Sequence, residues 1–222
     1  MDSLNLIQKI AIFALPAIFA ITLHEAAHGW VASKLGDRTA LMLGRVTLNP
    51  LKHIDPVGTI LVPLVTMFTG FIFGWAKPVP VNFKNLHHER RDSALVALAG
   101  PMANLVMAIF WALMIKLGVL LLAETRWVAV PLIYMGGAGV LINIILMVLN
   151  LTPVLPLDGG RVISALLPPR AALVYSRLEP YGLLIIILLL VTGVLGRLLW
   201  PLALFIINLL PASHIVLQLF LH

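Results

Sequence analysis

Cysteine occurs nowhere in the 222 residues, so neither a disulfide framework nor a thiolate metal ligand is available to this chain. Charge is scarce as well: Asp, Glu, Lys and Arg make up 11% of the residues, against about 25% in an ordinary soluble domain. Internal repeats, low-complexity tracts and linkers are all missing. The longest polar connections, residues 34–55 and 76–92, are too short to house a folded soluble domain, which takes about 50 residues or more. The sequence therefore predicts one unit over 1–222, with a core at 5–167 and a helical C-terminal region at 171–222.

What fills the chain instead is apolar: 61% of residues are hydrophobic and the mean hydropathy is +1.05, values that place it in a lipid bilayer. Apolar runs lie at 6–23, 56–75, 93–122 and 127–149, and a long one at 181–221 is interrupted at Arg197 and Pro211. Crossing the hydrocarbon core takes about 20 helical residues. The expected fold class is thus an all-α polytopic membrane protein with about five transmembrane helices. The first run has no basic flank and no small-residue cleavage site, so it reads as a retained helix rather than a signal peptide. The net charge of +6 does not point to nucleic acid, because the basic residues are spread through short loops, where positive-inside anchoring accounts for them.

One stretch breaks the apolar pattern. "FAITLHEAAHGWVASKLG", residues 19–36, sets His24, Glu25 and His28 inside an expected helix over 5–33. On a helix His24 and His28 project from one face, about 6 Å apart along the axis. H-E-x-x-H is the spacing by which one helix offers two imidazole nitrogens to Zn²⁺ and leaves a carboxylate beside the open position as general base. The bland alternative, interhelical hydrogen bonding by the two histidines, leaves the glutamate buried for no purpose, against an insertion cost of about 2.5–3.5 kcal/mol for an acid at mid-helix.

A catalytic zinc takes three protein ligands and a water. For the third ligand the histidine candidates are His53, His87, His88, His214 and His222, and the acidic ones Asp55, Glu89, Asp92, Glu124 and Asp158. The most informative context is "NLTPVLPLDGGRV", residues 150–162, where Pro153 and Pro156 break a helix ending near Asn150, and Gly159 and Gly160 permit close backbone packing. By spacing alone, Asp158 reads equally well as a ligand or as the N-cap of a short helix at 159–167.

Three motifs together, "HEAAH" (24–28), "AGPMAN" (99–104) and "NLTPVLPLDGGR" (150–161), resemble those of the site-2 proteases, zinc metalloproteases that cut peptide bonds within the membrane. With "GRVTLNP" (44–50) and "GWAKPVPVN" (74–82), the resemblance covers residues 20–165. It implies that His24, His28 and Asp158 bind one Zn²⁺ and that Glu25 activates the water. It also implies that Asn104 and Asn150 lie near the substrate backbone, and that the partner is a transmembrane protein substrate. The PDZ or CBS modules of many relatives have no counterpart here, so the chain is expected to be a minimal form.

Topology supplies an independent expectation. If 56–75, 93–122 and 127–149 all crossed the membrane, Asp158 would emerge on the face opposite His28 and the site would not close. A re-entrant hairpin at 56–75, broken by Gly58, Pro63, Gly70 and Gly74, restores the match; an ordinary span with a mid-helix proline is the competing reading. With the hairpin, eleven of the fifteen basic residues fall on one face and four on the other; with a plain span the split is eight to seven. The positive-inside pattern then places the site toward the cytoplasmic face of a cell membrane, with the N-terminus outside. "RVTLNP" (45–50) alternates like a strand, and "KPVPVN" (77–82) can only be an edge strand or a polyproline segment. A small membrane-associated β segment is therefore expected over 40–50 and 77–82, and one of its strands is expected to pair with an extended substrate.

The remaining polar and aromatic residues read more simply. Asn143, Asn208 and His214 are expected to hydrogen-bond between helices, and His87, His88 and Glu89 to face water. Ala99, Gly100 and Ala103 are expected to pack against Ala26, Ala27 and Gly29. Trp75, Trp111, Trp127 and Trp200 include expected interface anchors. Two other functions stay open: a zinc-handling transporter, which should show repeats and ionisable groups along a path, and a non-proteolytic binder of transmembrane helices.

Overall fold

The computed structural model describes residues 5–61 and 77–220. Helix α1 (Leu6–Lys34) begins at Asn5, whose side chain accepts from Gln8 N at 2.8 Å while Gln8 Oε1 accepts from Asn5 N at 3.0 Å. This reciprocal cap satisfies two of the donors that a helix start leaves open. α1 ends where Gly36 takes φ +117° against the Asn85 carbonyl, a conformation and an approach that admit no side chain.

After a short helix α2 (Thr39–Met42), single turns at Pro50–Lys52 and Pro56–Leu61 lead toward residue 61, and a further turn at Phe83–Asn85 precedes α3 (Glu89–Leu121). Leu35 O accepts from His87 N at 2.9 Å, so the chain between α1 and α3 leaves and returns at one end of the bundle. Most of the re-entrant hairpin expected at 56–75 lies outside the described residues, as does Trp75; the part that is described, Pro56–Leu61, forms a π-helical turn.

The β segment expected at 40–50 and 77–82 does not form: no strand occurs among the described residues. Other groups take the ladder positions. Pro78 and Pro80 lack donors, Val79 N donates to Glu25, and the Lys77 and Pro78 carbonyls accept from the Arg45 guanidinium at 2.9 and 3.3 Å.

α3 and α4 (Arg126–Asn150) form a tight antiparallel pair. Small residues permit the approach, as bilayers favour: a Cβ at Gly139 would run into the Trp111 indole, and one at Gly136 would meet Ile115 and the Trp111 carbonyl. Trp111 is therefore a core residue at 6% exposure rather than an interface anchor, whereas Trp127 is 81% exposed. Ile115, Val140, Ile144 and Val148 fill the seam. α5 (Asp158–Leu166), α6 (Pro169–Ser176), α7 (Gly182–Val191), α8 (Val194–Leu209) and α9 (Ser213–Phe220) complete the chain. Ala203, Ile207 and Val216 of α8 and α9 close the core from the C-terminal side.

Among the described residues four stretches are long and apolar enough to cross a membrane, Ile7–Lys34, Glu89–Leu121, Arg126–Asn150 and Pro169–Val191, and Val194–Leu209 is a shorter apolar helix. Against the expected count of about five, the described residues hold four. The C-terminal run breaks at Gly193, with φ +71°, and near Pro211, where Ala212 has φ 58°. Arg197 sits inside α8, since a long cationic side chain can reach out of an apolar helix without breaking it.

Candidate metal centre

Three elements converge on one point. α1 supplies His24 and His28 one turn apart, α5 supplies Asp158 from its first turn, and α3 passes across the gap at Gly100. The Nε2 atoms of His24 and His28 lie 3.1 Å apart, and Asp158 Oδ2 lies 3.2 and 3.4 Å from them. Among the described residues this is the one group of His and acidic side chains whose donor atoms gather closely enough to hold a metal. His53 and Asp92, two other candidates for a third ligand, are buried in contacts of their own with Thr47 O and His88 N.

The protons decide what such a cluster can hold. His24 Nδ1 faces Asn104 Oδ1 at 2.6 Å and His28 Nδ1 faces the Val96 carbonyl at 2.7 Å. Both partners are acceptors, so both Nδ1 atoms carry the hydrogen and the neutral rings turn Nε2 lone pairs toward each other. Asp158 Oδ2 adds another lone pair, and it is buried with no hydrogen-bond partner among the described residues. Three lone pairs aimed at one buried point repel unless a cation lies between them. Ligand bonds of about 2.0–2.1 Å at tetrahedral angles put neighbouring donors about 3.3–3.4 Å apart, close to the separations found. Two nitrogens and one carboxylate oxygen with a fourth position open match a catalytic Zn²⁺ site, so these residues fit zinc.

Gly100 leaves room for the two imidazoles, since a Cβ there would collide with Nε2 of both histidines. The "AGPMAN" glycine read as a helix-packing residue, and the contact it makes with α1 is indeed close, but what it faces is the two imidazoles. Gly29 faces Val46, Val79 and Ala40 instead of α3.

Asp158 does not cap α5. The N-cap is Leu157, without a side-chain cap bond, and the carboxylate turns inward to the imidazoles. Burial disfavours the charged carboxylate, so a cation held between the three donors is what would keep it in the anionic, ligating form. Its position rests on backbone contacts: a Cβ at Gly159 would strike the Leu151 and Thr152 carbonyls, and one at Gly160 the Val154–Leu155 backbone.

Beside the three donors a cavity of about 570 Å³ carries Glu25, Asn150 and Arg161 on its polar wall and Phe83, Leu183 and Ile186 on its apolar one. Glu25 Oε2 accepts from Val79 N at 2.7 Å. Asn150 donates Nδ2 to Leu146 O and lines the cavity. Asn104, expected near a substrate backbone like Asn150, lies behind His24 at 0% exposure. Asn143 does join two helices, through Asn104, whereas Asn208 is exposed and among the described residues bonds only Leu204 O of its own helix. His87, His88 and Glu89 are exposed, as expected.

No family model and no solved structure matches the chain. Curated proteins do. "Putative zinc metalloprotease YwhC" of Bacillus subtilis is 39% identical over 188 residues, covering 83% of this chain and 82% of that one. "Putative zinc metalloprotease Rip2" of Mycolicibacterium smegmatis is 30% identical over 204 residues, 88% of this chain and 74% of that one. The protein of the same name from Mycobacterium tuberculosis H37Rv is 27% identical over 201 residues.

Proposed function

The chain belongs to the site-2 protease family, and on that premise we propose that it is a zinc metalloendopeptidase hydrolysing peptide bonds in or beside the membrane-spanning segments of protein substrates. The observation that carries this reading is the convergence of His24, His28 and Asp158 lone pairs beside Glu25, in a chain whose described residues include four stretches of membrane-spanning length.

In this reading His24, His28 and Asp158 hold one Zn²⁺, which when bound polarises a carbonyl and acidifies water. Glu25 is the general base: it takes a proton from the attacking water and returns it to the departing amine. Val79 N holds Oε2 and leaves Oε1 for that proton. Asn150 has a side-chain oxygen at the cavity wall that can accept from a substrate N–H. A peptide helix hides its carbonyls in its own hydrogen bonds, so the substrate must unwind before it is cut. The apolar wall of Phe83, Leu183 and Ile186 receives side chains released by that unwinding.

We propose the cytoplasmic face of a cell membrane for the site on the positive-inside pattern, which sets eleven basic residues against four if residues 56–75 re-enter the membrane. A transporter is not favoured, because the polar groups gather at one point and do not line a path. The test is zinc content and cleavage of a transmembrane substrate by the purified protein in detergent, against Glu25→Gln and Asp158→Ala. Zinc without cleavage in the first variant and no zinc in the second support the two roles. Wild type that binds zinc and cuts none of a broad set of membrane substrates removes the reading.

A further inference from the structure

A line of buried side-chain amides runs from the metal centre into the α3–α4 seam. Asn104 Nδ2 donates to Asn143 Oδ1 at 3.0 Å and to Ala20 O at 3.3 Å, and Asn143 Nδ2 donates to Gly139 O at 2.8 Å. Asn104 and Asn143 are both 0% exposed, so no bulk water can replace either contact. The direction of the line is forced. Gly139 O can only accept, so the Asn143 amide turns its NH₂ there and its oxygen toward Asn104. Asn104 must then turn its own NH₂ to Asn143 and Ala20 O, leaving Oδ1 for His24. An acceptor at that place keeps the hydrogen of His24 on Nδ1 and the lone pair on Nε2.

From this we infer that Asn143, some way from the donors themselves, is a positioning residue for the metal centre: through Asn104 it fixes the tautomer and the orientation of His24. The inference rests on the zinc-enzyme reading above and adds a residue to it. The two histidines are supported differently. His28 is oriented directly by a main-chain carbonyl, Val96 O, which no substitution removes. His24 depends on side chains from two other helices, and hence on the α3–α4 pairing. Trp111 lies against Gly139 at the far end of the line, where a Cβ would strike its ring. Groups that hold the second nitrogen of a ligating histidine are commonly worth 10–100-fold in metal affinity, by fixing ring and tautomer.

The experiment loads the purified full chain with one zinc in detergent and follows release to a chromophoric chelator. Asn143→Leu keeps the size and removes the acceptor; it is expected to release zinc about 10–100-fold faster than wild type. Asn143→Asp presents an oxygen to Asn104 in either protonation state and is expected to stay within a few-fold of wild type. The decisive variant is Asn104→Asp combined with Asn143→Leu. A carboxylate accepts from His24 whichever way it turns, so it needs no partner to orient it, and the double variant is expected to recover retention. Asn208→Leu, which loses only a bond within its own helix, is the control for deleting a helix amide. If Asn143→Leu does not fold, Asn143→Ala makes the same comparison. Equal zinc retention in wild type and Asn143→Leu overturns the inference and leaves the enzyme reading intact. So does failure of the double variant to recover, which would mean that residue 143 acts through the fold alone. Wild type that takes up no zinc overturns the enzyme reading itself.

Discussion

Glu25 Oε2 accepts a hydrogen bond of 2.7 Å from the backbone N–H of Val79, so the proposed base on α1 is held by a segment that joins the bundle from another part of the chain. Val79 itself sits between two prolines. Neither can donate, so Val79 is the donor that the stretch from Pro78 to Pro80 offers. Glu25→Gln retains an oxygen to accept that bond and so preserves the geometry, while losing the ability to take a proton. The expected result is unchanged zinc per chain and a fall in kcat of about 10²–10⁴-fold. Metal content and single-turnover cleavage on the same preparation check both halves.

Gly100 separates metal binding from helix stability. Within a helix, Gly→Ala ordinarily stabilises by about 0.8–1 kcal/mol, and α3 would tolerate the change as a helix. At position 100, however, the new methyl would enter the space faced by both Nε2 atoms. Gly100→Ala is therefore expected to keep its helical circular dichroism and lose zinc. Retention of one zinc per chain would show that α1 and α3 can part at little cost.

Much of this site was legible in the sequence, and the illegible part has a physical pattern. His24, Glu25 and His28 declare themselves by spacing on one helix, because helical geometry converts sequence separation into direction. Asp158 reads equally as ligand or cap, since the local sequence of a helix start looks the same for either; in the fold its carboxylate turns inward to the imidazoles and does not cap the helix. Val79, Asn143 and the Val96 carbonyl were not recognised in these roles, as each acts through a contact between residues 39 or more apart. Gly100 carried a signal, a glycine amid small residues in a helix, that was read as packing alone. The expected strands at 40–50 and 77–82 failed because alternation reports side-chain faces and not where the backbone donors go. In the fold those donors and acceptors meet Glu25 and Arg45.

Asp37 fastens the Val79 segment to the end of α1. It is 0% exposed, and its carboxylate accepts from Thr39 N and Oγ1, Asn82 N and Asn85 Nδ2. Burial alone raises its pKa, but the hydrogen bonds from Thr39, Asn85 and Asn82 outweigh it and hold the group below its ordinary value of 3.8. A folded-state pKa below the unfolded one contributes stability that is fully present above the unfolded value and is lost as pH falls through the folded value. Asp37→Asn leaves donors facing an NH₂ group and is expected to cost about 1–3 kcal/mol at neutral pH. The gap to wild type should narrow below about pH 4, where Asp37 of the unfolded wild-type chain begins to take up a proton that the folded state resists. Thermal unfolding of both proteins in detergent across that range measures it, and a gap that does not change with pH would assign the cost to shape alone.

Two glycines in the C-terminal region should respond in opposite directions to the same added methyl. Gly196 lies in α8 with open space around its would-be Cβ, so Gly196→Ala is expected to stabilise by about 0.4–1 kcal/mol, through helix propensity and a less flexible unfolded chain. Gly182 opens α7, and a Cβ there would overlap the Leu155 carbonyl and crowd Pro156. The backbone has to give way, and it can do so on either side. If α7 moves, Leu183 and Ile186 shift and the apolar wall of the cavity opens; if the 153–157 turn moves, Asp158 moves with it. Zinc release distinguishes the two. Gly182→Ala that holds zinc as wild type does but cuts poorly with a raised KM locates the displacement in the wall. Faster zinc release locates it in the turn that carries the carboxylate. Wild-type behaviour in both assays would mean that α7 rides on the core without bearing on the site.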